Sequence, residues 1–403
     1  MKIKDKKDVL FITNFNYLSA TLDSNAELIK QLGINFENLY LVNTGNLLFP
    51  KSEKIDKNFD EIKKSSGCFF INPKNFEEFN SFLKNKKAFV VSNFGRYLNS
   101  IKINFFLKRK KIKIYQVSNT GFYNVTPKYD LKKNILLIIK HFFAVKLFKT
   151  ISVVLSNLGI FPKNEVRFIS SKQIYDEIFN NPIKKKLYEN KLLFSKKIVL
   201  INSKAYDLYK KNLYDISEDY IVHLDKEFDW PELVAFRGKY DKKKLEKHYF
   251  YLNNFLAKLS IDFNKKVVIC IHPGYDLKKF QNYFPNYEVI QFRTREYIYK
   301  SFLVTIIDSS AIVDAILLKK RALGLTSDYM GVNEMNNSLS HIKRYGLAHF
   351  NIEKDFIKSK KIILNEVEKK IITYDNYISN YHCLDKNSSG YDKIIKTLKD
   401  STV

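Results

Sequence analysis

The chain has 403 residues, with 69 Lys+Arg against 42 Asp+Glu and a formal charge of +27. With 45% hydrophobic and 15% aromatic residues, it has ample apolar surface to bury, which excludes global disorder; its size suggests two domains. Only 12 glycines and 8 prolines exclude collagen-like and low-complexity chains, and three scattered cysteines (Cys68, Cys270, Cys383) exclude a disulfide framework and point to a reducing compartment.

Elements alternate along the chain. Val9–Ile12 reads as a buried strand, and a helix follows with Ser24 as its N-cap. Further strands are expected at Asn38–Val42, Ala88–Val91 and Ile112–Val117. Strands interleaved with helices indicate a parallel α/β sheet, whose ligands lie beyond the carboxyl ends of the strands. That rule brings Asn14, Asp23 and Asn93 toward a site, with Asn14 and Asn93 as acceptor-binding candidates. Residues 134–162 are apolar but interrupted by Lys140, His141, Lys146 and Lys149. They fit either helices lying on an anionic membrane surface or a core helix pair; no stretch is long enough to span a bilayer. No signal peptide is read at the start. Lys108–Lys111 is a basic run suited to lipid headgroups, a polyanionic acceptor or plain solvent.

A second α/β unit starts at the strand Tyr220–Leu224, followed by a helix over Lys243–Leu259 and a buried strand over Lys266–Ile271. Then come Val289–Phe292, a short helix from Thr294 to Ser301, the strand Leu303–Ile307, a helix over Ala311–Leu318 and the strand Ala322–Leu325. The strand at 266–271 stops at His272-Pro273-Gly274, because proline cannot continue a ladder. The strand at 303–307 stops at Asp308-Ser309-Ser310 before a helix. Imidazole, hydroxyls and free helix amides suit a phosphate, and Thr294 and Arg295 open the helix between the two motifs. Each motif also has a plain structural reading, as a satisfied histidine or a serine cap.

The order strand, His-Pro, strand, Ser-Ser-helix, with Ala315–Lys320 behind it, resembles two-domain bacterial glycosyltransferases of the GT-B fold. The resemblance covers roughly residues 220–330 and is nearest to enzymes of surface polysaccharide synthesis: sialyl- and polysialyltransferases, Kdo transferases and CDP-glycerol polymerases. It implies two Rossmann-like domains facing a central cleft: an acceptor domain at 1–204, a nucleotide-sugar domain at 218–350, and helices at 351–403 packing back on the first domain. It also implies donor binding by His272 and Pro273 in one motif and by Ser309 and Ser310 in the other; Gly274, Thr294, Arg295 and Asp308, beside them in sequence, complete the donor-binding candidates. The expected activity is transfer of a sugar, such as a CMP-activated acidic sugar, from a nucleotide-sugar to a capsule, lipooligosaccharide or other glycan or glycolipid acceptor. Polyol-phosphate transfer from a CDP-glycerol type donor is one alternative. A catalytically inactive membrane-peripheral binding protein is another.

The acidic-acidic-Gly triplet that carries the acid/base in the sialyltransferases is missing before residue 200. Asp23 and Asp225 are the remaining candidates for the catalytic base, with Glu227 and Asp229 beside the latter. No Asp-x-Asp stands in the second-domain site, so neither metal nor cofactor is expected, and lysine-dominated charge argues against nucleic acid as a partner. The expected location is cytoplasmic, or peripheral on the inner face of the cell membrane.

Overall fold

The computed structural model describes residues 5–13, 18–48, 68–84, 86, 88–92, 101–117, 154–190, 195–211, 214–228, 240–272 and 275–401. They divide into two units, one holding residues up to 204 together with those from 383 onward, the other holding 205–382.

The first unit contains β1 (Asp5–Thr13), α1 (Leu18–Asn35), β2 (Phe36–Asn43), α2 (Gly45–Leu48), β3 (Phe69–Ile71), α3 (Phe76–Leu83) and β4 (Ala88–Ser92). It continues through α4 (Ile101–Arg109), β5 (Lys113–Val117), β6 (Asn164–Ile169), α5 (Lys172–Phe179), α6 (Pro182–Glu189) and β7 (Ser195–Leu200). The strands form one parallel sheet in the order β3-β2-β1-β4-β5-β6-β7. Runs such as Val9–Ile12 are apolar at every position because both faces are covered. Val9, Phe11, Phe89 and Val91 line one core, and Leu10, Ile12 and Val90 the other.

The second unit contains α7 (Lys204–Tyr209, at the join), β8 (Tyr220–Leu224), α8 (Lys242–Phe263), β9 (Lys266–Cys270), α9 (Leu277–Tyr283) and β10 (Glu288–Ile290). There follow α10 (Thr294–Tyr299), β11 (Ser301–Ile306), α11 (Ile312–Leu317), β12 (Arg321–Thr326), α12 (Val332–Tyr345), β13 (Ala348–Asn351), α13 (Lys360–Ile371) and α14 (Tyr374–Tyr381). Its parallel sheet runs β10-β9-β8-β11-β12-β13. In local order this is 3-2-1-4-5-6, the doubly wound arrangement, with its switch point between β8 and β11. Asp241 caps α8 by accepting from the Lys243 amide at 2.9 Å, and Asn264 ends the helix in the left-handed region. Between them, Leu245, Tyr249, Leu252, Leu256, Leu259 and Phe263 form a buried stripe at helical spacing.

The last helix, α15 (Gly390–Asp400), packs Tyr391, Ile394, Ile395 and Leu398 into the core of the first unit. The expectation for the tail differs in part: Ile363 and Val367 of α13, and Tyr374 and Tyr377 of α14, are buried in the second unit instead. Their apolar faces match that sheet, a pairing that the charged composition of the tail conceals. Asn202 holds the returning chain within the first unit. Its Nδ2 donates to the carbonyls of Asp385 and Ser388, both at 2.7 Å, and its Oδ1 accepts from the amides of Leu384 and Asp385 at 2.9 and 3.0 Å.

Among the described residues no helix is long and apolar enough to cross a membrane. Of the segment 134–162, residues 134–153 lie outside those described.

Gly324 sets how closely α12 approaches the second sheet. A Cβ there would stand 2.2 Å from Cγ1 and 2.6 Å from Cδ1 of Ile342, which is itself buried. Gly324→Ala is expected to cost about 1–3 kcal/mol by overpacking, measured by urea denaturation; unchanged stability would mean that α12 has room to withdraw.

Candidate functional site

The carboxyl edge of the second sheet is drawn level by its register. Leu224 of β8 pairs with Cys270 of β9 on one side and with Ile306 of β11 on the other. The alignment continues past the strands, where the Asp225 amide donates to the Cys270 carbonyl at 3.2 Å and the Ile307 amide to the Leu224 carbonyl at 3.4 Å. Two residues beyond the level trio, His272, Lys226 and Asp308 therefore form a row across the switch point. With strands about 4.8 Å apart, the backbones of His272 and Asp308 stand roughly 10 Å from each other, with Lys226 between them.

Side-chain alternation then sorts the residues after β8. Val222 and Leu224 face the core built with α10, α11 and α12, and Ile221 faces the core built with α8. Lys226 follows the even set. Its ammonium donates to Asp308 Oδ2, and the Nδ1 of His341, on α12, lies 2.6 Å from Asp308 Oδ1 in an ion-pair contact without hydrogen-bond alignment. All three side chains are largely buried. Burial alone would raise the Asp308 carboxyl, but His341 and Lys226 outweigh it and hold the group well below the usual carboxylate range.

Asp225 and Glu227 follow the odd set. Asp225 is fully enclosed. Its Oδ2 accepts from the Tyr249 hydroxyl at 3.2 Å, and its Oδ1 lies 3.4 Å from His223 Nε2. The other nitrogen of His223 meets Thr305 Oγ1 at 2.9 Å, so a polar chain runs from β11 through β8 to α8 beneath the rim. The Tyr249 hydroxyl is raised well above its ordinary range, by burial first and by Asp225 second. Glu227 accepts from Lys279 of α9 at 2.9 Å.

The remaining residues expected from sequence fall on or near this edge. His272 is exposed, its ring 5.2 Å from that of Tyr275. Ser309 is half-buried, and its Oγ accepts from the Ala311 amide at 3.3 Å; Ser310 is exposed. Arg295 is already engaged, donating from Nε to Asp314 of α11 at 3.1 Å, and burial raises the Asp314 carboxyl against the pull of that guanidinium. Thr294 shares a hydrogen bond with the Cys270 thiol, which burial pushes up to about 12. Asn14, Asn93, Asp229, Pro273 and Gly274 lie outside the described residues, as does the side chain of Asp23 on α1. Sequence reasoning missed Lys226 and His341. Lys226 carried a readable signal, as the second residue past a buried strand; His341, inside a polar helix, carried none. Among the described residues, no group of three or more His, Cys, Asp or Glu side chains is placed to hold a metal ion.

No family model matches this sequence, and no curated protein does. Solved structures do match across the whole chain. The calicheamicin glycosyltransferase CalG4 superposes with a TM-score of 0.52 at 11% identity, covering 98% of both chains. The wall teichoic acid polymerase TagF, as its H444N variant, gives 0.52 at 13%, covering 99% of this chain and 90% of that one. The UDP-GlcNAc 2-epimerase of Methanocaldococcus jannaschii, in complex with UDP-GlcNAc and UDP, gives 0.51 at 15%, covering 98% and 100%. The fold is GT-B. At these identities the likeness is one of fold, and GT-B scaffolds carry both transferases and epimerases.

Asp308→Asn is expected to destabilise the protein by about 3 kcal/mol at pH 7, because it leaves Lys226 buried without its carboxylate. A carboxyl lowered in the folded state contributes stability above the unfolded Asp value of about 3.9 and loses it as pH falls toward the folded value. The gap between variant and wild type, measured by denaturant titration, should therefore shrink below about pH 4. A gap that is constant with pH would contradict the lowered carboxyl.

Proposed function

We propose that the protein is a nucleotide-dependent transferase of the GT-B class, moving a glycosyl group from a nucleotide-activated sugar to a surface glycan or glycolipid. One observation carries this reading: the His272 motif and the Ser309-Ser310 motif end strands on either side of β8, at the switch point of a 3-2-1-4-5-6 sheet. Ligands of doubly wound sheets bind at that position. Imidazole and hydroxyl donors there suit the phosphate of a nucleotide leaving group.

The chemistry assigned to the site is a displacement. The bond between the sugar's anomeric carbon and the nucleotide phosphate oxygen breaks, and the acceptor oxygen forms the new bond. The acceptor's proton passes to a carboxylate, and the electron pair of the broken bond stays on the phosphate. Asp225 is closed off between His223 and Tyr249, so of the two carboxylates named from sequence we assign the base to Asp23. A CMP-activated acidic sugar is the donor that the paired motifs suggest. The likeness to a teichoic acid polymerase favours a second reading, transfer of a polyol phosphate from a CDP-glycerol type donor. A charge of +27 favours an anionic membrane surface as the setting. So does α4, which exposes Phe105 beside the basic run Lys108–Lys111.

Calorimetric titration with CMP, CDP, UDP and GDP, paired with hydrolysis assays on the corresponding activated donors, tests the proposal. One nucleotide class is expected to bind. His272→Ala and Ser310→Ala, both at exposed positions, should each weaken it roughly ten- to hundredfold, with melting temperature unchanged. Binding of no nucleotide, or equal binding by both variants and wild type, would defeat the proposal.

A further inference from the structure

We infer that Lys226 is the residue that selects for the charged phosphate of the donor, held in place by Asp308 together with His341. The inference rests on the nucleotide-binding reading above and adds to it a residue that the paired motifs do not contain. A phosphate that touches both His272 and the Ser309-Ser310 turn has to span the two strand spacings between the ends of β9 and β11. The strand between them is β8, whose register places Lys226 level with His272 and Asp308. An anion bridging the two motifs therefore passes the end of β8, from which Lys226 reaches to Asp308.

The surroundings of Lys226 fit that task. Its side chain is largely buried, and among the contacts described its ammonium meets one carboxylate, Asp308. Asp308 is itself shared with His341 from α12. The single carboxylate is thus shared between two basic side chains. A charged donor in a partly desolvated position makes stronger bonds to phosphate than a hydroxyl does. Asp308 was expected from sequence to contact the donor. Carrying a negative charge beside a phosphate, it acts instead as a positioning residue, restraining a flexible four-carbon chain so that its ammonium is already in place. Gly324 supports the same arrangement at one remove, since it allows α12, and His341 with it, to approach the sheet.

The alternative is a purely structural ion pair. A structural role would change stability but would not alter the discrimination between a nucleotide and its nucleoside, so that ratio is the decisive measurement. CMP, CDP and cytidine are titrated calorimetrically into wild type, Lys226→Met, Lys226→Gln and His272→Ala. Lys226→Gln keeps a donor toward Asp308 and reports if Lys226→Met folds poorly. Both Lys226 variants are expected to lose roughly tenfold or more in affinity for CMP and CDP, with cytidine binding unchanged, collapsing the nucleotide-to-nucleoside ratio. Phosphate contact also predicts that raising the salt concentration weakens CMP binding less in Lys226→Met than in wild type. If the Lys226 variants keep the wild-type ratio while His272→Ala loses it, the role of Lys226 is overturned and the nucleotide reading stands. If wild type binds neither CMP nor CDP, or His272→Ala binds them as wild type does, the reading of this pocket as a cytidine-nucleotide site fails, and the role of Lys226 with it.

Discussion

Two basic side chains sharing one buried carboxylate are the constraint on which the second domain's rim depends. Lys226 and His341 come from elements far apart in sequence, the end of β8 and the interior of α12, and both meet Asp308 at the end of β11. Burying a charge is costly unless it is paired. Lys226, Asp308 and His341 are therefore tied to a single mutual arrangement, and that arrangement lies where the sheet reverses its winding. The helices that follow β8 and β11 belong to different cores, α8 to one and α11 to the other, and the pairing fixes the ends of the two strands that lead to them. Below it, the chain from Thr305 through His223 and Asp225 to Tyr249 joins the same two strands to α8. The rim is thus braced from both faces by polar contacts inside an otherwise apolar sandwich.

The sorting of these contacts follows from β-alternation carried a few residues past the strand. In Asp225-Lys226-Glu227, the odd residues turn toward α8 and α9, and the even one meets Asp308, which His341 of α12 also meets. Three consecutive charged residues, an unremarkable polar loop when read in one dimension, become two separate networks in three.

Much of the fold was legible because buried parallel strands are apolar at every position. Val9–Ile12, Lys266–Ile271 and Leu303–Ile307 announced themselves, and proline and serine marked where two of the site strands stop. Other elements were silent. β3 is three residues long, and β6 (Asn164–Ile169) and β7 (Ser195–Leu200) carry charges because they lie toward the edge of their sheet. The paired motifs could be assigned to a sheet edge from sequence because they abut strands. The partnership of Asp308 with His341 could not, because it spans 33 residues and depends on how far α12 slides against Gly324. Asp225 looked available after a strand, and only the packing of α8 reveals that Tyr249 and His223 enclose it.

The Asn202 clasp has a consequence for how the protein is made. The described residues of the second unit all fall within 205–382, while those of the first lie on both sides of that range. The four hydrogen bonds of Asn202 and the apolar face of α15 come from residues beyond 382. A ribosome adding residues in order from the amino end therefore supplies everything the second domain needs before it supplies the final helix of the first. The first domain is therefore the one that closes later: until α15 emerges, the core that holds Leu32 of α1, Val117 of β5 and Phe168 of β6 lacks Tyr391, Ile394, Ile395 and Leu398.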